Sequence, residues 1–87
     1  MKLEIEIPDY PSEIGTLRLV WESYYVISAQ IVEGSVIIKC DRGGLTSLAR
    51  HLLTLAQETV PDGNHIHLDD TNVLESGSCE VVIEKIA

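Results

Sequence analysis

Basic residues are scarce. Lysine and arginine together number 6 against 14 aspartates and glutamates, which leaves a formal net charge of −8. Nucleic-acid binding rests on Lys and Arg neutralising phosphates, and an anionic membrane repels the same excess of acids; both partners are therefore excluded. Long apolar runs are also lacking. None approaches the ~20 residues that a membrane helix needs. The opening Met1-Lys2-Leu3-Glu4-Ile5-Glu6-Ile7 alternates with acids where a secretory signal would carry a continuous apolar stretch, so the chain is expected in the cytoplasm. Cysteine is confined to Cys40 and Cys79. They form no Cys-x-x-Cys pair and cannot complete a tetrahedral zinc site by themselves, and cytoplasmic thiols stay reduced. Ser76-Gly77-Ser78 lacks the Gly-x-Ser-x-Gly frame of a nucleophile elbow. Gly43-Gly44 is too short for a phosphate loop and reads as a strand-to-helix turn. No repeat, linker or low-complexity stretch interrupts the chain, and no cofactor is implied.

What is present suffices for one core. The 87 residues are 45% apolar, too rich for a disordered acidic tail. A chain of this size buries about 63% of its open-chain surface. A single domain spanning residues 1–87 is expected.

The hydropathy pattern gives the order of elements. Residues 2–7 place Leu3, Ile5 and Ile7 on one side and Lys2, Glu4 and Glu6 on the other, the mark of a half-buried strand. Pro8-Asp9-Tyr10-Pro11 ends it by removing ladder donors. Residues 16–22 alternate again, with Leu17, Leu19 and Trp21 opposing Arg18, Val20 and Glu22. Residues 24–33 and 36–41 are rich in β-branched and aromatic types, and Gly34 at the first central position between them fits a type II′ hairpin turn. From Gly44 to Glu58, Leu45, Leu48, Ala49, Leu52, Leu55 and Ala56 repeat with a 3.6-residue period, which predicts an amphipathic helix with that stripe toward the core. Val60-Pro61-Asp62-Gly63 ends the helix. His65–Asp69 and residues 80–86 read as two last strands, joined by a loop over 70–79.

The order ββββαββ predicts a two-layer α+β fold: a largely antiparallel sheet of about six strands with one helix on one face. Leu3, Ile5, Leu17, Leu19, Tyr25, Ile27, Val36 and Ile38 are assigned to the helix side. Val20, Tyr24, Val26, Val32 and Ile37 then lie on the uncovered side. A bare apolar patch marks a contact surface, so a homodimer or another protein is expected there, unless the 70–79 loop folds over it.

His65-x-His67-x-Asp69 is the sharpest constellation. Residues two apart on a strand share a face, so two imidazoles and a carboxylate converge while Ile66 and Leu68 enter the core. Such a trio suits a 2-His-1-carboxylate metal site or an acid–base pair; it equally suits a solvated strand face. With Asp70 beside it, the cluster is also a candidate for partner contact. The scattered carboxylates could serve solubility alone, or a field that attracts a basic protein.

From Gly43 onward the chain resembles a known family. The matching residues are Gly44-Leu45-Thr46-Ser47-Leu48-Ala49, Leu52-Leu53-Thr54-Leu55-Ala56, Asn64-His65-Ile66-His67-Leu68-Asp69, Leu74-Glu75-Ser76-Gly77-Ser78 and Val81-Val82-Ile83-Glu84. The family is that of bacterial immunity proteins of polymorphic toxin systems, number thirty-two. The resemblance implies a cytoplasmic, non-enzymatic protein that binds and neutralises a toxin. The contrasting expectation is a small metal-binding or enzymatic domain built on His65, His67 and Asp69.

Overall fold

The computed structural model describes residues 1–11 and 15–87. The elements run β1 (Ile27–Val32), β2 (Ser35–Cys40), α1 (Arg42–Leu55), β3 (His65–Leu68) and β4 (Val81–Glu84). The mixed α+β class holds, but the described residues form four strands rather than six, in the order ββαββ. They make two separate two-stranded antiparallel sheets, β1–β2 and β3–β4, in place of one sheet.

Residues 2–7 and 17–22 join no ladder. Their alternation is nonetheless used: Ile5, Ile7, Leu17, Leu19 and Trp21 are half-buried, although Leu3 remains exposed. Side chains of the helix region take the place of a neighbouring strand in binding this backbone. The Gln57 amide donates to the Pro8 carbonyl at 2.8 Å and accepts from the Tyr10 N–H at 3.2 Å. The Thr59 hydroxyl donates to the Tyr10 carbonyl at 2.7 Å, and the Ser47 hydroxyl accepts from the Glu22 N–H at 3.0 Å. Alternation reports a half-buried extended chain, and says nothing about whether a strand lies alongside it. The chain bends at Ser23 and Tyr24 within this irregular stretch, and residues 12–14 fall outside the described residues.

The first hairpin forms one register step from expectation. Val32 pairs with Ser35, so Glu33 and Gly34 are the central turn residues, with φ of 49° and 81°. Two positive φ values make a type I′ turn, whose twist matches the flanking strands. Alternation then gives one face Ile27, Ala29, Ile31, Val36, Ile38 and Cys40, and the other Ser28, Gln30, Val32, Ser35, Ile37 and Lys39.

The helix starts two residues early. Asp41 is its N-cap, accepting from the Gly44 N–H at 2.7 Å; the same oxygen accepts from the Val26 N–H at 2.9 Å. Asp41 thus ties helix start and hairpin base together, and these backbone donors hold its carboxyl below the usual range. The two glycines let the helix press onto residues 24–27. A Cβ on Gly43 would run into the Tyr24 carbonyl, and one on Gly44 would lie 2.5 Å from the Val26 carbonyl oxygen and 2.9 Å from Ile27 Cγ1.

This close approach sets the rotation of the helix. Its buried residues are Gly44, Ser47, His51, Thr54 and Leu55, a face about a third of a turn away from the expected leucine stripe. Leu45, Ala49, Leu52 and Ala56 are exposed, and Leu48 is half-buried. Small and hydroxyl side chains line the contact because the backbones are close; Thr54 satisfies its hydroxyl on the Arg50 carbonyl at 2.7 Å. The core is Ile27, Ala29, Leu55, Val60, Ile66, Leu68 and Leu74, so it sits where the base of β1, the end of α1 and the inner face of β3–β4 meet.

Candidate partner-binding surface

β3 and β4 alternate cleanly. His65, Ile66, His67 and Leu68 pair with Glu84, Ile83, Val82 and Val81. Ile66 and Leu68 are buried, and Val81 and Ile83 pack beside them. The outer face therefore presents His65 and His67 on one strand and Val82 and Glu84 on the other, all exposed. The shared face expected of His65 and His67 is formed.

His67 is the centre of this face. Its Nε2 lies 3.4 Å from Asp69 Oδ2 and 3.3 Å from Glu80 Oε2. Glu80 was not legible as a member from sequence, since it arrives from the start of β4; the antiparallel register is the signal that finds it. Asp69 has a second task. Its Oδ1 accepts from the Thr71 N–H at 2.8 Å, the Thr71 hydroxyl at 2.6 Å and the Asn72 N–H at 3.1 Å. This is an Asx-type turn that starts the loop after β3. These donors, the Thr71 hydroxyl first, hold the Asp69 carboxyl below its usual range, with a smaller contribution from His67. Asp70 closes the loop from the other side by accepting from the Gly77 N–H at 3.3 Å.

The loop's far end reaches the first hairpin. Glu75 and Cys79 donate their N–H groups to the Ile27 and Ala29 carbonyls at 2.9 and 2.8 Å, and the Ser78 hydroxyl accepts from the Ala29 N–H at 3.1 Å. Residues 75–79 thus line the edge of β1. They do not fold over the whole apolar hairpin, much of which stays exposed. Cys40 and Cys79 are free and half-buried, and burial, with the nearby Asp41 charge, pushes the Cys40 thiol up.

Acidic charge is concentrated in this part of the sequence. Residues 58–84 hold seven of the 14 acids and no Lys or Arg. Lys85 follows directly, but its ammonium is engaged by the Gln57 and Val60 carbonyls at 2.6 and 2.7 Å, where it caps the helix exit. Lys85 is thus the one basic residue next to β4 in sequence, and its ammonium is held at the helix exit.

Val20, Tyr24 and Val26 lie apart from the strands, in the irregular 17–26 segment, so they are not on an uncovered sheet face. All three are exposed. Val20 borders a cleft with Arg18, Glu22 and Arg50; Tyr24 and Val26 flank the helix start through their contacts with Gly43 and Gly44. No observed contact joins them to the histidine face.

Among the described residues no three His, Cys, Asp or Glu side chains are grouped so as to hold a metal ion, and no helix is long and apolar enough to cross a membrane.

The family model for immunity protein 32 matches residues 35–86. The chain belongs to the immunity protein 32 family. The matched stretch takes in β2, α1, β3 and β4, so the histidine face and the acidic loop lie within the immunity protein 32 part, while β1 and the irregular N-terminal segments precede it. No curated protein and no solved structure matches the chain.

Proposed function

We propose that this chain is a cytoplasmic immunity protein that neutralises a toxin by binding it, without catalysis of its own. Membership of the immunity protein 32 family carries the reading. Its contact surface is the outer face of β3–β4 with the adjoining loop: His65, His67, Asp69 and Asp70, with Glu80 and Glu84 around Val82. Val20, Tyr24 and Val26 form an outlying contact region beside the helix start. The physical support is electrostatic. A charge of −8 with seven acids between residues 58 and 84 draws a basic partner and raises its rate of encounter. Such a field is screened over about 8 Å at physiological ionic strength, so association slows as salt is added. The hydrogen bonds that fix the loop keep its carboxylates in one arrangement before binding, which lowers the ordering cost of association.

Co-expression with the toxin encoded beside this chain's gene tests the reading. The intact chain should restore growth and capture the toxin on purification. The triple variant Asp70→Asn, Glu80→Gln, Glu84→Gln should associate roughly ten-fold more slowly, with a flatter salt dependence. A chain that neither binds the toxin nor rescues growth would overturn the proposal.

A further inference from the structure

The first hairpin is unfinished as a monomer. β2 has β1 on one side only, and residues 75–79 already line the far edge of β1. Among the described residues no strand lies along the outer edge of β2. That edge is also bare on its faces: Val36 is 66% exposed, its partner Ile31 67%, and Ile37 and Ile38 are exposed as well. Natural proteins blunt an open edge with charges, proline or a bulge; β2 carries only Lys39. The exposed leucine stripe of α1, with Leu45 60% exposed, adds a second apolar strip in the element that follows.

The area of the whole chain agrees. The folded chain exposes 6326 Å², whereas a compact protein of 9.6 kDa exposes about 5,100 Å². The excess of roughly 1,200 Å² exceeds the ~800 Å² that each partner gives to a standard interface. The radius of gyration, 13.6 Å, is likewise above the about 12 Å expected of this length. Part of the excess belongs to the N-terminal segment, but the bare hairpin carries only Glu33 and Lys39 as charges.

We propose that β2 pairs antiparallel with β2 of a second copy of this chain, about a two-fold axis at Ile37. The product is a continuous four-stranded sheet, with β1 of each copy outermost. Strand parity favours a self-partner. With Ile37 on the axis, Val36 faces Ile38 and Ser35 faces Lys39 of the other copy, so within β2 apolar meets apolar and no like charges stand opposite each other. Charge selects the same surface. Residues 27–57, the first hairpin and the helix, carry three of the six basic residues and two of the 14 acids, whereas the rest of the chain is strongly acidic. Two copies of a −8 chain meet with least repulsion here, while a basic toxin is drawn to the acidic face instead. The pairing is thus separate from the proposed toxin surface and can fail without it.

Size-exclusion chromatography with light scattering, across a concentration series, tests the pairing. The chain should show twice its 9.6 kDa mass. Ile37→Asp places two carboxylates face to face and should weaken self-association roughly 100-fold or more; Ile37 is 37% exposed, and circular dichroism checks that the fold is kept. Ile37→Lys should do the same alone, and an equimolar mixture of the two variants should recover a mixed dimer. A wild-type chain that stays at monomer mass up to millimolar concentration overturns the proposal, as does a dimer that Ile37→Asp leaves intact. If the chain is monomeric and Ile37→Asp instead abolishes toxin capture, β2 is the toxin's edge, and the self-pairing is likewise overturned.

Discussion

The two hairpins of this chain are built on the same pairing and end in opposite conditions. β3–β4 is complete: Ile66 and Leu68 enter the core, and histidines and carboxylates face water. β1–β2 is complete only at its base, where Ile27 and Ala29 are buried. Ile38, opposite Ala29, and Ile31, Val36 and Ile37 beyond it are exposed. The difference shows what each hairpin gains by further contact. A charged face is already well solvated, so a partner there gains mainly rate and orientation from the field. A bare apolar face gains from leaving water at roughly 25 cal/mol per Å², so a partner there supplies stability.

The largest expected effect tests that contrast directly. A domain of this length has only about 4–13 kcal/mol of stability in total. Leu68→Ala in β3 should cost about 2–5 kcal/mol by opening a cavity in the core. Ile31→Ala in β1, measured by urea unfolding at concentrations where the chain is monomeric, should cost under about 1 kcal/mol. Equal losses would mean that the first hairpin is covered in solution even within one chain. The seam between the helix and that hairpin comes next. Gly44→Ala adds a methyl 2.5 Å from the Val26 carbonyl oxygen. Alanine improves helix propensity by about 1 kcal/mol over glycine, yet overpacking should dominate and give a net loss of about 1–3 kcal/mol. A stabilised Gly44→Ala would show that the seam is loose.

Acid should separate the two regions by pH. His51, 1% exposed, lies against Trp21 with ring centroids 4.1 Å apart. Neither of its ring nitrogens has a hydrogen-bond partner. Burial, reinforced by the Arg50 charge, lowers its pKa from 6.5 to about 4. The unfolded chain therefore takes up this proton first, and stability falls as the pH drops from about 6.5 towards 4. At 1.36 kcal/mol per pH unit the loss reaches about 3 kcal/mol. His51→Phe should remove that slope, and Trp21 fluorescence should report it. The Asp69 turn behaves differently. Its carboxyl is lowered by the Thr71 hydroxyl and backbone donors, so its contribution is present above the ordinary carboxylate range and is lost only as pH falls below it. If the wild-type stability is flat between pH 6.5 and 4, His51 is solvated or paired in solution.

The sequence made the second hairpin legible and misread the helix. His65-Ile66-His67-Leu68 alternates, and alternation specified its faces correctly because one face meets the core and the other meets water. The leucine stripe of α1 has an equally clear period, yet the residues turned inward are Gly44, Ser47, His51 and Thr54. Periodicity records that a stripe is apolar; it does not record whether the surface it was shaped for lies in the same chain. The glycine pair was the missed signal, since it permits a backbone approach that only small side chains can line. The two N-terminal strands failed for a related reason. Leu17, Leu19 and Trp21 do point inward, but Ser47, Arg50 and Gln57 supply hydrogen bonds that a neighbouring strand would otherwise give. Glu80 escaped notice because only the β3–β4 register brings it to His67.

The smallest expected effect bears on the acidic face. Glu84 stands exposed on β4 opposite His65. If this face exists for a partner rather than for the fold, Glu84→Gln should change stability by no more than about 0.5 kcal/mol, the usual range for a surface substitution. The same change should slow association with the toxin in stopped-flow mixing, and the slowing should fade as salt is raised, because the field it weakens is already screened there. Ile37→Asp should give the mirror image: an unaltered toxin on-rate and a lost dimer. A Glu84→Gln chain that loses more than about 1 kcal/mol would assign the carboxylate to the fold, and the contrast between a face finished by water and a face awaiting a second copy would then no longer hold.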